Sequence, residues 1–219
     1  MTTRILYLHG FASGPSSTKA RYFRDRLREL GVELEIPDLT GGNLESLTIT
    51  RQLAVVERVA AGEPVALIGS SMGAYLAALY AARHPETPRI VLLAPAFGFP
   101  RRWLEELGAD RVEDWRRTGY LSVFDYAEGR EARVGYGLIE DSSRYEDYPA
   151  TTQPVLIYHG TADETVPYRL SEEFAALRCQ VRLELLDSGH QLLDRLEVIW
   201  EGARGFLGFG EHGTGAGSR

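Results

Sequence analysis

A chain of 219 residues is long enough for one well-filled domain and too short for two full enzyme domains. Its 44% hydrophobic and 25% charged residues are those of an ordinary globular protein, and no apolar run is long enough to cross a bilayer. The net charge of -7 argues against a binder of nucleic-acid backbones, because such binding depends on clustered cations releasing counterions.

Met1-Thr2-Thr3-Arg4 leads directly into Ile5-Leu6-Tyr7-Leu8, too short for the apolar core of a signal peptide, so a cytoplasmic location is expected. From there, short apolar runs alternate with helical patterns, as parallel strands alternate with crossover helices. The expected strands are Arg4 to Leu8, Glu33 to Pro37, Val65 to Gly69, Arg89 to Ala94, Val155 to His159 and Arg182 to Leu186. The expected helices are Ser17 to Leu30, Leu44 to Ala61, Met72 to Arg83, Pro167 to Leu177 and Gln191 to Leu207. Gly31 and His84-Pro85 serve as stop signals. The fold class is α/β, with about six mostly parallel strands flanked by helices, forming one domain over residues 1–207. The lone Cys179 reads as a small helix residue, and the glycines from Gly208 to Arg219 suggest a tail of little fixed structure.

The alternation breaks between Phe97 and Pro149. Helix-like stretches at Arg101 to Leu107 and near Val112 to Arg117 precede a hairpin pattern with Glu128-Gly129-Arg130 at its turn. This segment holds ten of the chain's 22 aromatic residues, Trp103, Trp115, Tyr120, Phe124, Tyr136 and Tyr148 among them. It reads as an insertion, about 97–150, that covers a site as a lid. Its aromatic rings line an apolar acyl pocket or form the insertion's own core. Arg101, Arg102, Arg116 and Arg117 could meet an anionic leaving group, but Glu105, Glu106, Glu113 and Asp114 beside them favour a solvated helical face.

The chemistry centres on Gly69-Ser70-Ser71-Met72-Gly73. This G-x-S-x-G sequence lies between a buried strand and an apolar helix, which is the context of a nucleophile elbow. Gly69 and Gly73 keep the turn tight and Ser71 is raised as the nucleophile. A serine hydroxyl is weak at neutral pH and needs a histidine base oriented by a carboxylate. Among the five histidines, His190 in Asp187-Ser188-Gly189-His190 follows the last strand and can reach over the sheet's carboxyl end. His84 reads as a surface helix-end residue and His212 lies in the tail. His159 reads as holding the loop after it, and His9 as structural.

The carboxylate is assigned to Asp163, in a loop that opens at the carboxyl end of the penultimate strand, with Glu164 a solvated neighbour and Asp187 the competitor. An oxyanion needs fixed backbone donors. These are expected from the Met72 amide, just after the nucleophile, and from the Phe11 amide in His9-Gly10-Phe11-Ala12-Ser13-Gly14-Pro15, where Gly10 lets the backbone come close. That loop lacks both the Walker spacing and G-x-G-x-x-G, so nucleotide binding is not expected.

With these residues in order, the chain resembles the small single-domain α/β-hydrolase esterases and thioesterases of the YqiA type. It also resembles the mitochondrial α/β-hydrolase-domain acyl-protein thioesterases. The resemblance runs through Tyr7-Leu8-His9-Gly10-Phe11, Ser13, Lys19-Ala20, Ile36-Pro37, Gly69 to Tyr75, Ala94-Pro95-Ala96, Asp163-Glu164 with Val166, and Gly189-His190. It implies an α/β-hydrolase fold, a Ser71-Asp163-His190 triad and cleavage of small acyl esters or thioesters without a metal or organic cofactor. Peptide or carbon–carbon bond cleavage on the same triad is an alternative, as is a non-enzymatic binding protein that retains the fold.

Overall fold

The computed structural model describes residues 4–176 and 178–209. Leu177 and the segment from residue 210 on, with His212 and most of the Gly-rich tail, lie outside the described residues. Six strands form one sheet in the order β2-β1-β3-β4-β7-β8, and every pair is parallel. They are β1 (Arg4–Leu8), β2 (Leu34–Glu35), β3 (Val65–Ser70), β4 (Ile90–Leu93), β7 (Val155–Gly160) and β8 (Val181–Leu186).

The continuous apolar runs become central strands because both faces of the sheet are covered. Leu6, Leu67, Leu92 and Ile157 pack on one side with α2 (Ile49–Ala60), α3 (Met72–Arg83) and Phe174 of α7 (Arg169–Ala176). Their neighbours Ile5, Ile68, Val91 and Leu156 point the other way, onto α1 (Thr18–Glu29) and α8 (Leu196–Phe206). This strand alternation divides the core in two. Helix α3 is buried along nearly its whole length, and its alanines at 74, 77, 78 and 81 let it lie close to the sheet.

Several expected boundaries move. The helix expected from Leu44 begins at Ile49, where the Thr48 side chain accepts the Arg51 amide as an N-cap. Residues 43–46 instead form a turn in which Asn43 Oδ1 accepts the Glu45 and Ser46 amides. The last helix starts at Leu196 rather than Gln191, after a turn of 3-10 helix at Leu193–Arg195. The Glu33 to Pro37 strand shrinks to two residues. Cys179 is not helical but exposed in the turn after α7.

Between β4 and β7 the chain forms α4 (Phe99–Leu107), α5 (Ala109–Thr118), an antiparallel hairpin of β5 (Tyr120–Asp125) and β6 (Arg130–Gly135), and α6 (Gly137–Ser142). Trp115, 1% exposed, anchors this region: its indole N–H donates to the Val134 carbonyl at 2.9 Å, and its ring packs against Trp103 and Tyr136. The hairpin tip reaches back to the loop after β1, where the Tyr126 amide donates to the Ala12 carbonyl at 2.8 Å.

Candidate active site

At the carboxyl end of β3 the chain turns into α3 within one residue. Ser71 takes φ 54° and ψ -117°, a conformation that side chains rarely adopt, and its amide donates to the Leu93 carbonyl at 2.8 Å. The two flanking glycines are sterically required. A Cβ on Gly69 would lie 2.5 Å from Ala74 Cα, and one on Gly73 would lie 2.0 Å from the Leu8 carbonyl oxygen. A tight turn held this way raises the serine side chain above the sheet.

Two further loops meet it there. His190 Nε2 lies 3.1 Å from Ser71 Oγ, and His190 Nδ1 lies 2.8 Å from Asp163 Oδ2. An ionised carboxylate only accepts, so Nδ1 carries the proton and Nε2 is left to accept from the serine hydroxyl. The loops of Asp163 and His190 are joined by their backbones: the Thr161 amide donates to Leu186 and the Ala162 amide to Ser188. At Gly160 any side chain would collide with the Ser188 carbonyl, 2.2 Å from the position of a Cβ.

The Asp163 carboxylate is held on both oxygens. Oδ1 accepts the Thr165 and Val166 amides at 2.8 and 2.7 Å, and Oδ2 accepts from His190 and, at 3.1 Å, from His159 Nε2. Burial alone would raise its pKa, but the hydrogen bonds from His159, His190 and Val166 outweigh burial and hold the carboxyl well below the usual carboxylate range. His159 does hold the following loop, through the Val166 carbonyl at 2.9 Å, and its Nδ1 meets Ser171 Oγ at 2.7 Å. Its contact with Asp163 was not read from the sequence. A histidine at a strand end four residues before an acid is the signal that could have shown it.

Asp187 does not compete for His190: its side chain is 95% exposed and its nearest cation is Arg195 at 4.0 Å. Glu164 is exposed. His9 is buried; its Nε2 accepts the Leu39 amide at 3.1 Å and its Nδ1 donates to the Gly10 carbonyl at 3.0 Å. Burial lowers its pKa and keeps the ring neutral, so it shapes the loop that carries Phe11. His84 ends α3 between Glu57 and Glu86, at 2.6 and 2.9 Å.

A cavity of about 760 Å³ opens over Ser71 and His190, and Gly10, Phe11 and Met72 contribute to its lining. Neither the Phe11 nor the Met72 amide has an acceptor among the hydrogen bonds of the described residues. Two donors without partners beside a hydroxyl fit a developing oxyanion. The insertion's aromatics divide. Trp115 and Phe97 belong to the core, Phe99 belongs to it and also reaches the cavity, and Trp103 and Tyr126 line the cavity, with Phe11 edge-on to Trp103 at 5.3 Å. Arg101 pairs with Asp147 and Arg117 with Asp114, and Arg116 is exposed. Arg102, paired with Glu106 at 2.7 Å, is the one of the four that lines the cavity. Among the described residues no group of three or more His, Cys, Asp and Glu side chains is placed to hold a metal, and no helix is long and apolar enough to cross a membrane.

A family model described as an uncharacterised protein family, UPF0227, matches residues 4–201. No curated protein sequence matches the chain. Among solved structures, a hydrolase candidate from Agrobacterium vitis S4 shares 27% identity at a TM-score of 0.80, covering 94% of this chain and 88% of that one. Mouse α/β-hydrolase domain-containing protein 10 shares 21% at 0.79, covering 94% and 90%. Est1E from Butyrivibrio proteoclasticus, solved with ferulic acid, shares 23% at 0.79, covering 94% and 88%. At these identities the last two show the fold, which is that of the α/β hydrolases.

Proposed function

The chain belongs to UPF0227, the YqiA-like family of α/β hydrolases, and on that premise we propose that it is a serine hydrolase of small acyl esters or thioesters, with Ser71 forming an acyl-enzyme. The observation that carries the reading is the continuous relay of 3.1 Å from Ser71 to His190 and 2.8 Å from His190 to Asp163, opening into a cavity. A hydroxyl hydrogen-bonded to an imidazole whose other nitrogen is fixed by a carboxylate is an activated nucleophile.

In this mechanism Ser71 Oγ attacks the acyl carbonyl as His190 Nε2 takes its proton. Asp163, kept ionised by its four hydrogen bonds, stabilises the imidazolium. The Phe11 and Met72 amides receive the oxyanion. His190 then gives the proton to the departing alcohol or thiol. Water, deprotonated by the same nitrogen, attacks the acyl-enzyme, and the carboxylic acid leaves as Ser71 regains its proton. The insertion over residues 97–150 acts as the lid, with Phe99 and Trp103 against the acyl group.

The test is a fluorophosphonate probe together with an ester and thioester panel. The wild-type protein is expected to label at Ser71 and to turn over short acyl esters. Ser71→Ala should lose labelling and about three or more orders of magnitude in kcat with its fold intact. A folded Ser71→Ala protein with wild-type turnover would overturn the reading.

A further inference from the structure

The two walls of the cavity differ in chemistry. Phe11, Phe99 and Trp103 pack together along it, with Arg102 on the same helix as the last two, whereas the loop after β1 and the start of α1 contribute Ser13, Ser17, Thr18, Lys19 and Arg21. Lys19, Arg21 and Arg102 line the cavity and, among the described residues, no carboxylate does, although acidic residues outnumber basic ones 31 to 24 in the whole chain. A cavity with this lining departs from the charge of the molecule around it.

Lys19, the chain's sole lysine, is 8% exposed. Its ammonium donates to the Gln191 carbonyl at 3.0 Å, and no carboxylate pairs with it among the described residues. A buried cation without a paired anion is costly, and burial pushes this one down to about 8 despite the field of Asp163. An ammonium has three N–H donors, and a single carbonyl contact could be made as well by a neutral side chain. Arg102 differs from Lys19: its Nη1 pairs with Glu106 at 2.7 Å and also donates to the Thr165 carbonyl, and only its Nε is buried without a partner among the described residues. Arg21, exposed at the mouth, makes no ion pair among the described residues.

Resting on the hydrolysis proposed at Ser71, we infer that the substrate carries an anionic oxygen group, a carboxylate or a phosphate, on its leaving group, and that Lys19 receives it. The side follows from the histidine. His190 must protonate the departing atom, so the leaving group exits along its loop. Gln191, the residue that Lys19 holds, is the next residue of that loop. The aromatic wall is then left for the acyl group.

The experiment compares kcat/KM for phenyl butyrate, 4-carboxyphenyl butyrate, 4-phosphonooxyphenyl butyrate and monophenyl adipate, whose carboxylate is on the acyl side. The two anionic leaving groups should be preferred over phenyl about tenfold or more, mainly through KM, because a charge-assisted hydrogen bond is gained. Which of the two is preferred separates carboxylate from phosphate. The ratio should collapse toward one in Lys19→Gln and partly survive in Lys19→Arg; in Arg21→Gln it should fall less. A structural role for Lys19 would lower all four rates together and leave the ratio unchanged, which would overturn the inference, as would preference for the adipate. Calorimetry with phenyl phosphate and benzoate on the wild-type protein and Lys19→Gln reads the site without turnover. Absence of binding to the wild type would also overturn the inference, whatever the esterase result. Lys19-dependent binding in a protein that neither labels nor hydrolyses any ester would instead remove the hydrolase reading and leave the anion site standing.

Discussion

The turn from β3 into α3 and the insertion between β4 and β7 both border the cavity, yet they are built on opposite principles. The turn is fixed by backbone meeting backbone: a Cβ on Gly73 would fall on the Leu8 carbonyl, and nothing there can adjust. The insertion is fixed by side chains on one another, with Trp115 at its centre and Tyr120, Phe124 and Tyr126 of the hairpin exposed. The first kind of construction holds a reacting atom to a fraction of an ångström. The second tolerates change, so under the proposed function it is where acyl selectivity would vary on a constant chemistry.

The largest effect expected concerns rate. Asp163→Asn should lower kcat about 10³- to 10⁴-fold through loss of the tautomer and charge that hold His190, while Asp187→Asn leaves kcat unchanged in the same steady-state assay. Next, a pair of glycine-to-alanine substitutions separates the two regions. Gly73→Ala should cost about 3 kcal/mol or more in chemical denaturation because the collision is with backbone. Gly129→Ala, at φ 65° in the hairpin turn with open space around it, should cost about 1 kcal/mol. Comparable losses at both sites would break the contrast.

Selectivity sharpens it further. Trp103→Ala should lower kcat/KM for hexanoyl or aromatic esters about tenfold relative to acetyl esters in a p-nitrophenyl series; an equal loss for all chain lengths would make the ring purely structural. The smallest effect lies away from both regions. Burial of His84 opposes its protonation, but Glu86 and Glu57 outweigh burial and raise its pKa. A raised pKa contributes stability that is fully present below about pH 6.5 and is lost as pH rises through the folded value. His84→Gln should therefore lower Tm by a few degrees at about pH 5.5 and hardly at about pH 9.

What could be read from the sequence follows the same division. Continuous runs such as Val65-Ala66-Leu67-Ile68 identify strands because burial on both faces demands them. The order of serine, acid and histidine could likewise be read, since each stands at the carboxyl end of a strand. Helix α6 was missed: six residues carry no periodicity, and Asp141 within it is tied to Thr50, 91 positions earlier, through the Thr50 amide and hydroxyl. Lys19 stands among the residues that carry the resemblance, but its burial and contact escaped for a similar reason, since its partner Gln191 lies 172 positions away. Spacing reveals local order, whereas a lysine buried by a distant loop looks in sequence like any surface cation.

The backbone of Ser71 has one more consequence. At φ 54° and ψ -117° the residue carries strain of about 1–3 kcal/mol that the surrounding sheet must offset. A glycine would relieve the strain and remove the proposed nucleophile, so under the proposed function selection for durability and selection for turnover act in opposite directions on this one position. Lineages that drift from catalysis toward a scaffold role would be expected to lose the serine first, and to become sturdier in doing so.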